Sequence, residues 1–343
     1  MINQRIVSID FLRGLTIALM ILVNNPGNWD ELFTPFSHAH WEGATSTDLI
    51  FPFFIFIVGA SIAFSMLSKV SEPKNHLNLV LKVIKRGIII FLLGFLKDNF
   101  PFIIDTAEGY VFKPFDSWRI MGVLQRIGLV YLFAGIIFIK TNWKQQIGII
   151  AFILLGYWAL LNVEIEGAYV LELGKYGGGN IVTYFDNMVL GDNHMWKSVN
   201  INEGYVLGWE PEGLLSTVPA IATCLLGILA GTWIKKDIQL LEKITGLFAL
   251  GALLTAISLL WNLVFPFNKG LWSSSYVLYA GGIALMATGF CMWLMDFKGY
   301  SKVAKPFVIF GSNATVAYLM AELCASLSWF IKVGGQSLNQ YFI

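Results

Sequence analysis

Apolar and polar positions fall in long blocks along this chain. Nine runs of roughly 17 to 25 residues carry little charge: 8–25, 49–67, 79–96, 120–139, 147–163, 214–234, 244–265, 276–294 and 307–331. About 20 apolar residues in helical form cross the hydrocarbon core of a bilayer. The pattern predicts an all-α polytopic membrane protein, a bundle of about nine to ten transmembrane helices. A single transmembrane domain would occupy 1–343, with one long extracytoplasmic loop at about 164–212. No repeat, low-complexity tract or soluble domain boundary interrupts it.

Composition points the same way. Of 343 residues, 56% are hydrophobic and 13% charged, and the mean hydropathy is +0.67. Soluble domains carry about a quarter charged residues. The first run is not a cleavable signal peptide, because Asp10 and Arg13 interrupt it and no small-residue cleavage site follows. With the N-terminus in the cytoplasm, the inner segments hold Arg5, Lys69, Lys74, Lys82, Lys85, Arg86, Lys140, Lys144, Lys235, Lys236, Lys243, Lys298, Lys302 and Lys305. Arg13 makes these 15 of the 23 basic residues. Glu164, Glu166, Glu172, Asp186, Asp192, Glu203, Glu210 and Glu212 then lie outside. That asymmetry is the positive-inside pattern. The net charge of +1 carries no signature of a nucleic-acid partner.

The polar interruptions come next. The loop from Asn24 to Asp48 separates the first two runs and carries two of the four histidines, His38 and His40. Histidine titrates near neutrality and serves as base or nucleophile, and an amide such as Asn24 can hold a carbonyl oxygen as it gains negative charge. The plain alternative is an interfacial histidine without chemistry. Asp48 opens the second run as a helix N-cap, from where it can also orient His38 or bind a substrate cation. Lys82, Lys85 and Arg86 enter the third run, either snorkelling to headgroups or forming a basic mouth for a phosphorylated ligand. Gln125 and Arg126 lie within the fourth run near its outer end, where an ionisable residue faces a cavity, finds a partner or snorkels. Glu210 and Glu212 precede a helix start, where the helix dipole alone can account for them. Asp10 and Arg13, three apart, pair with each other or touch a ligand. Glu322, in mid-span, calls for an internal partner or a cavity, and the glycine and asparagine of GSNATVAY, including Asn313, suit close helix packing.

Cys224, Cys291 and Cys324 sit in apolar runs without metal spacing and read as core residues. No P-loop, GxGxxG or GxSxG is present, and His38, His40 and His194 make a poor zinc pattern, so no metal is expected.

Six stretches in fixed order carry a family resemblance. SIDFLRGLTIALMILVNNPG, HAHWEGATSTDLIFPFFIFIVGASI, RIMGVLQRIGLVY, EPEGLLSTVPAIATCLLG, NKGLWSSSYVLYAGG and FGSNATVAYLMAE run from residue 8 to 322. Together they resemble heparan-α-glucosaminide N-acetyltransferase and its bacterial relatives. The resemblance implies transfer of the acetyl group of cytosolic acetyl-CoA to a glucosamine-type amine on the other side of a cell (inner) membrane. It makes His38 the catalytic histidine and Asn24 the active-site asparagine, with His38 acting as acetylated nucleophile or as base. Acceptor contacts are expected from Asp48, Trp41, Glu210, Glu212 and Asn268. Donor contacts are expected from Arg13, Lys85, Arg86, Arg126 and Asn313. A homodimer and one more C-terminal span are further expectations from the family. Two positions depart from its pattern: His40 and Glu42 interrupt H-A-x-W-N-G, and Glu210 replaces the aspartate of D-P-E-G. A permease for an amino sugar is the competing reading, since Asn24, Arg126, Asn313 and Glu322 would also suit a mid-membrane solute site. An assembly protein is a third.

Overall fold

The computed structural model describes residues 6–26, 32–106, 109–163, 180–202, 205–300, 302, 304–334 and 336–341, and the side chains of 197–207 lie outside that description. Every predicted span is helical. The helices are α1 (Val7–Asn24), α2 (Ser46–Val70), α3 (His76–Asn99), α4 (Val123–Lys140), α5 (Trp143–Leu161), the short α6 (Ile181–Leu190), α7 (Leu214–Ile234), α8 (Leu240–Asn262) and α9 (Ser274–Cys291). α10 (Lys305–Ser312) and α11 (Ala314–Phe330) follow. Small antiparallel hairpins, β1 (Ile103–Thr106) with β2 (Gly109–Phe112) and β3 (Lys197–Asn202) with β4 (Tyr205–Trp209), lie in the loops after α3 and α6.

Among the described residues, seven helices are long and apolar enough to cross a membrane: α1, α2, α4, α5, α7, α8 and α9 with its π-helical extension to Phe297. α3 matches them in length with 24 residues. Its Lys82, Lys85, Arg86, Lys97 and Asp98 make it too charged at both ends to pass by composition. The run 307–331, predicted as one span, is two helices bent by 83° at Asn313. A tight packing contact precedes the bend. α10 is pressed onto α1 through Gly14 and Gly311, where a Cβ would lie 1.7 Å from the Phe307 carbonyl oxygen and 2.2 Å from that of Asp10. The chain turns just after this contact and continues as α11.

Close backbone approach also fastens the centre. Lipid tails give apolar helices no hydrophobic reason to associate, so small residues and dense packing do it. α2 meets α7 through reciprocal glycines: a Cβ on Gly59 would lie 2.0 Å from the Cys224 carbonyl oxygen, and one on Gly227 would lie 1.9 Å from that of Phe56. α2 also solves a backbone problem of its own. Pro52 has no N–H, which leaves the carbonyl of Asp48 one turn earlier without its helical donor. The buried Tyr276 hydroxyl of α9 donates to that oxygen at 2.5 Å.

Replacing Gly227 with valine forces α2 and α7 apart, and an overpacked contact of this kind costs about 1–3 kcal/mol or more. The expected result is a clear fall in the melting temperature of detergent-solubilised protein. An unchanged melting temperature would mean the two helices do not depend on this contact.

Candidate active site

A cavity of about 340 Å³ opens between the end of α1, the loop before α2, the start of α4, the approach to α7 and the α8–α9 turn. Its organising residue is Asp48, only 1% exposed. Thr45, not Asp48, is the N-cap of α2, and Asp48 is the third residue of a capping box. The T-x-x-D spacing of Thr45 to Asp48 carried that signal in the sequence. One carboxylate oxygen, Oδ2, accepts from the Ala39 and Thr45 amides, both at 2.9 Å, and lies 3.1 Å from Thr45 Oγ1. The other, Oδ1, lies 2.6 Å from His38 Nδ1. An ionised carboxylate only accepts, so Nδ1 donates, and in the neutral ring the lone pair is then on Nε2. The loop is held elsewhere too, by Ser46 and Thr47 hydroxyls on the Pro35 carbonyl and by the Gly43 amide on that of Phe267 at 2.8 Å.

The α8–α9 turn contributes a residue that sequence reasoning passed over. Lys269 Nζ lies 3.2 Å from His38 Nδ1, 3.4 Å from Nε2 and 3.8 Å from Asp48 Oδ1. Burial pulls its ammonium below the usual lysine value, while the charges of Asp48 and Glu212 push back. Asn268, expected to touch the acceptor, instead builds the turn: its Oδ1 accepts from the Leu271 amide at 2.8 Å, and its own amide donates to Ser273 Oγ at 3.0 Å. The signal for Lys269 was a single cation in the tight outer turn NKGLW.

Asn24 ends α1 and lines the same cavity. Its amide donates to Glu322 of α11 at 3.2 Å, and Glu322 also pairs with Lys97 at 3.5 Å. Lys97 meets Asp98 at 2.5 Å, and Gln125 donates to Asp98 at 2.8 Å. The mid-span acid thus has internal partners, and through them Asn24 is tied to three other helices.

Arg126 lines this cavity and not the one lined by Arg13 and Arg86, with which it was grouped. It is fully buried and does not snorkel. Its Nη2 donates to the Pro211 carbonyl at 2.9 Å and to Ser216 Oγ, and its guanidinium lies 5.0 Å from the centre of the Trp272 ring. Among the described residues its Nε and Nη1 have no partner.

Glu210 is expected at the acceptor but is taken by Arg119, whose Nη2 and Nε reach it at 2.5 and 2.8 Å. Glu212 lines the cavity and takes a further bond from Arg119 at 3.0 Å. Burial works against the Arg119 guanidinium, but these two carboxylates outweigh it and hold it charged. Neither glutamate compensates the start of α7. The amides of Leu214 and Leu215 go to Asp186 Oδ1 at 3.0 and 3.1 Å, and burial pushes that carboxyl up to about 6. Trp41 packs edge-on to Trp209, ring centres 6.3 Å apart, and both face the cavity. His194 bonds the Trp118 carbonyl at 2.7 Å, outside this cavity's lining.

A second cavity of about 420 Å³ adjoins the first, lined by further residues of α1, α2 and α4 together with α3, α10 and α11. Arg13, Arg86, Ser61, Tyr131 and Asn313 line it. Arg13 bonds Asp10 at 3.1 Å, Ser61 Oγ at 2.8 Å and the Gly311 carbonyl at 3.3 Å, so the Asp10–Arg13 pair forms and still borders a cavity. Arg86 lies 5.2 Å from the centre of the Tyr131 ring. Lys85 is exposed and lines neither cavity. The two linings adjoin: Phe51 borders one and Phe54 the other, as do Arg126 and Ile127. Glu164, Glu166, Glu172 and Glu203 lie outside the described residues.

Comparison with known proteins adds a family. Residues 5–185 match the family described as heparan-alpha-glucosaminide N-acetyltransferase, catalytic. Heparan-alpha-glucosaminide N-acetyltransferase of Mus musculus is 29% identical over 366 residues, covering 93% of this chain and 54% of that protein. The Homo sapiens protein of the same name is 29% identical over 367 residues, covering 93% and 53%. The chain spans about half the length of the curated relatives it matches.

Changing Asp48 to asparagine turns part of an acceptor-only group into a donor facing donors. With one buried charge-assisted partner lost, the cost is about 1–3 kcal/mol. The expected outcome is a lower melting temperature and protease cleavage between residues 32 and 45. Wild-type melting and an intact loop would show that the loop is anchored by other bonds.

Proposed function

The chain belongs to the heparan-α-glucosaminide N-acetyltransferase catalytic family, and on that premise we propose that it is a membrane acetyltransferase. It takes the acetyl group from acetyl-CoA bound at the inner cavity and passes it to an amine, that of an amino sugar, at the outer one. The observation that carries this reading is the adjoining pair of cavities on α1, α2 and α4, with Arg13 and Arg86 in one and His38 in the other.

The spacing suits the donor. Arg13 and Asn24 lie eleven residues apart on α1, about 17 Å at 1.5 Å per residue. A pantetheine arm covers that distance. Arg13 and Arg86 would hold phosphates at the inner end, the cytoplasmic one by the charge asymmetry of the loops. The thioester then lies near the helical turn that separates Phe54 from Phe51.

At the outer end His38 offers a lone pair on Nε2, because Asp48 takes the proton side of the ring. That lone pair either removes the proton from the attacking amine or attacks the carbonyl carbon itself. The Asn24 amide and the unpartnered Nε and Nη1 of Arg126 are donors for the carbonyl oxygen as it gains charge. The carbon–sulfur bond breaks, coenzyme A leaves as its thiol, and the amine carries the acetyl group. Trp41 supplies an apolar face for a sugar ring, and Glu212 a carboxylate for its amine. The competing permease reading draws on the 83° break at Asn313, since broken helices line solute sites.

Two measurements test this. His38→Ala is expected to lower acetyl transfer by about a hundredfold or more. Incubation with labelled acetyl-CoA and no acceptor then separates the two roles, label on His38 meaning a nucleophile and none meaning a base. Full transfer by the alanine variant, or solute uptake unaffected by it, would overturn the enzyme reading. Arg86→Gln is expected to weaken acetyl-CoA binding about tenfold or more while sparing the acceptor. Unchanged acetyl-CoA affinity would remove Arg86 from the donor site.

A further inference from the structure

His38 stands between two opposite charges. Asp48, buried at the head of α2, takes the Nδ1 proton at 2.6 Å. Left alone, a carboxylate so placed favours the imidazolium and draws a second proton onto Nε2. An imidazolium has no lone pair and can neither attack a carbonyl nor accept a proton from an amine. Lys269 supplies the opposite bias. Its Nζ is almost equidistant from the two ring nitrogens, 3.2 and 3.4 Å. In-line approach to either lone pair would leave the other nitrogen much farther away, so the ammonium lies over the ring and not on Nε2. It repels a proton from the ring without occupying the lone pair.

We propose that Lys269 is a positioning residue that keeps His38 in its neutral form, with Nε2 free and directed to the cavity, by balancing the charge of Asp48. The inference rests on the reading of His38 as the reactive group. The turn that carries Lys269 is built to hold it: the Trp272 amide bonds the Lys269 carbonyl at 3.2 Å, the Ser273 amide that of Asn268 at 3.0 Å, and Trp272 is fully buried with a φ of +53°. Other charged groups share the cavity. Glu212 comes from the approach to α7, Arg119 and Arg126 from the start of α4, and His40 from the same loop as His38. Glu212 and Arg119 are paired with each other, and Arg126 bonds its own backbone partners. Lys269 is the charge that the structure sets directly against the ring.

The test reads the neutral imidazole without relying on acetyl transfer. Diethyl pyrocarbonate modifies only unprotonated histidine, and mass spectrometry locates the product on His38 or His40 in the intact detergent-solubilised protein. Between pH 5 and 8, Lys269→Met is expected to move the half-labelling pH of His38 up by about one unit, a tenfold loss of neutral ring at a given acidic pH. His40 should keep its own profile, and Lys269→Arg should keep that of the unaltered protein. Lys269→Gln makes the same comparison if the methionine variant does not fold. A His38 profile that is unmoved by removal of the charge overturns the inference. A shifted labelling profile with no matching shift in the acid limb of acetyl transfer supports the placement of Lys269 and counts against His38 as the reactive group.

Discussion

A buried carboxylate is costly unless it is hydrogen-bonded and its charge is answered, and Asp48 meets both conditions. It closes the first turn of α2, gathers the amides of Ala39 and Thr45, and takes the Nδ1 proton of His38. Each of these bonds holds a different part of the His38 cavity. The helix start, the path of the loop and the tautomer of the histidine therefore depend on one ionised group. The nearby ammonium of Lys269 offsets its charge at 3.8 Å. Ionisable groups in membrane proteins are expensive unless paired or turned to a cavity, and this one is both.

The packing that carries this group is equally specific. α2 is pinned to α7 by glycines that admit backbone on backbone, and Tyr276 from α9 satisfies the carbonyl that Pro52 leaves open. The head of α2 is thus held by α7 and α9 before the loop adds its own bonds. α1 is fastened to α10 in the same way through Gly14 and Gly311. Between these attachments α1, α2 and α4 line two adjoining cavities.

The polar network around Asn24 shows how a charge on an apolar helix is tolerated. Glu322, Lys97, Asp98 and Gln125 form a chain of bonds across α11, α3 and α4, and Asn24 is its end at the cavity. Arg119 with Glu210 and Glu212 makes a second buried cluster near the same cavity. In both, one cation is shared by two carboxylates, so each acid has a charged partner within the protein.

Much of this was legible in the chain itself. Apolar run length decided the nine helical segments, because a helix must satisfy its own backbone and be long enough to cross. Local spacing carried the pair Asp10–Arg13, and T-x-x-D at 45–48 carried the cap of α2. His38, Asn24 and Asp48 were visible as a polar loop flanking two spans. Other roles depended on residues far apart in sequence. Only the folded chain could bring Lys269 to His38 across 231 positions, give Glu210 to Arg119, assign Asn268 to a turn and place Arg126 in the His38 cavity. It also broke the last span at Asn313, just after the contact between α10 and α1. Hydropathy and local spacing act along the chain and can be read there. Which charge faces which depends on helix packing, and so tertiary structure alone decides it.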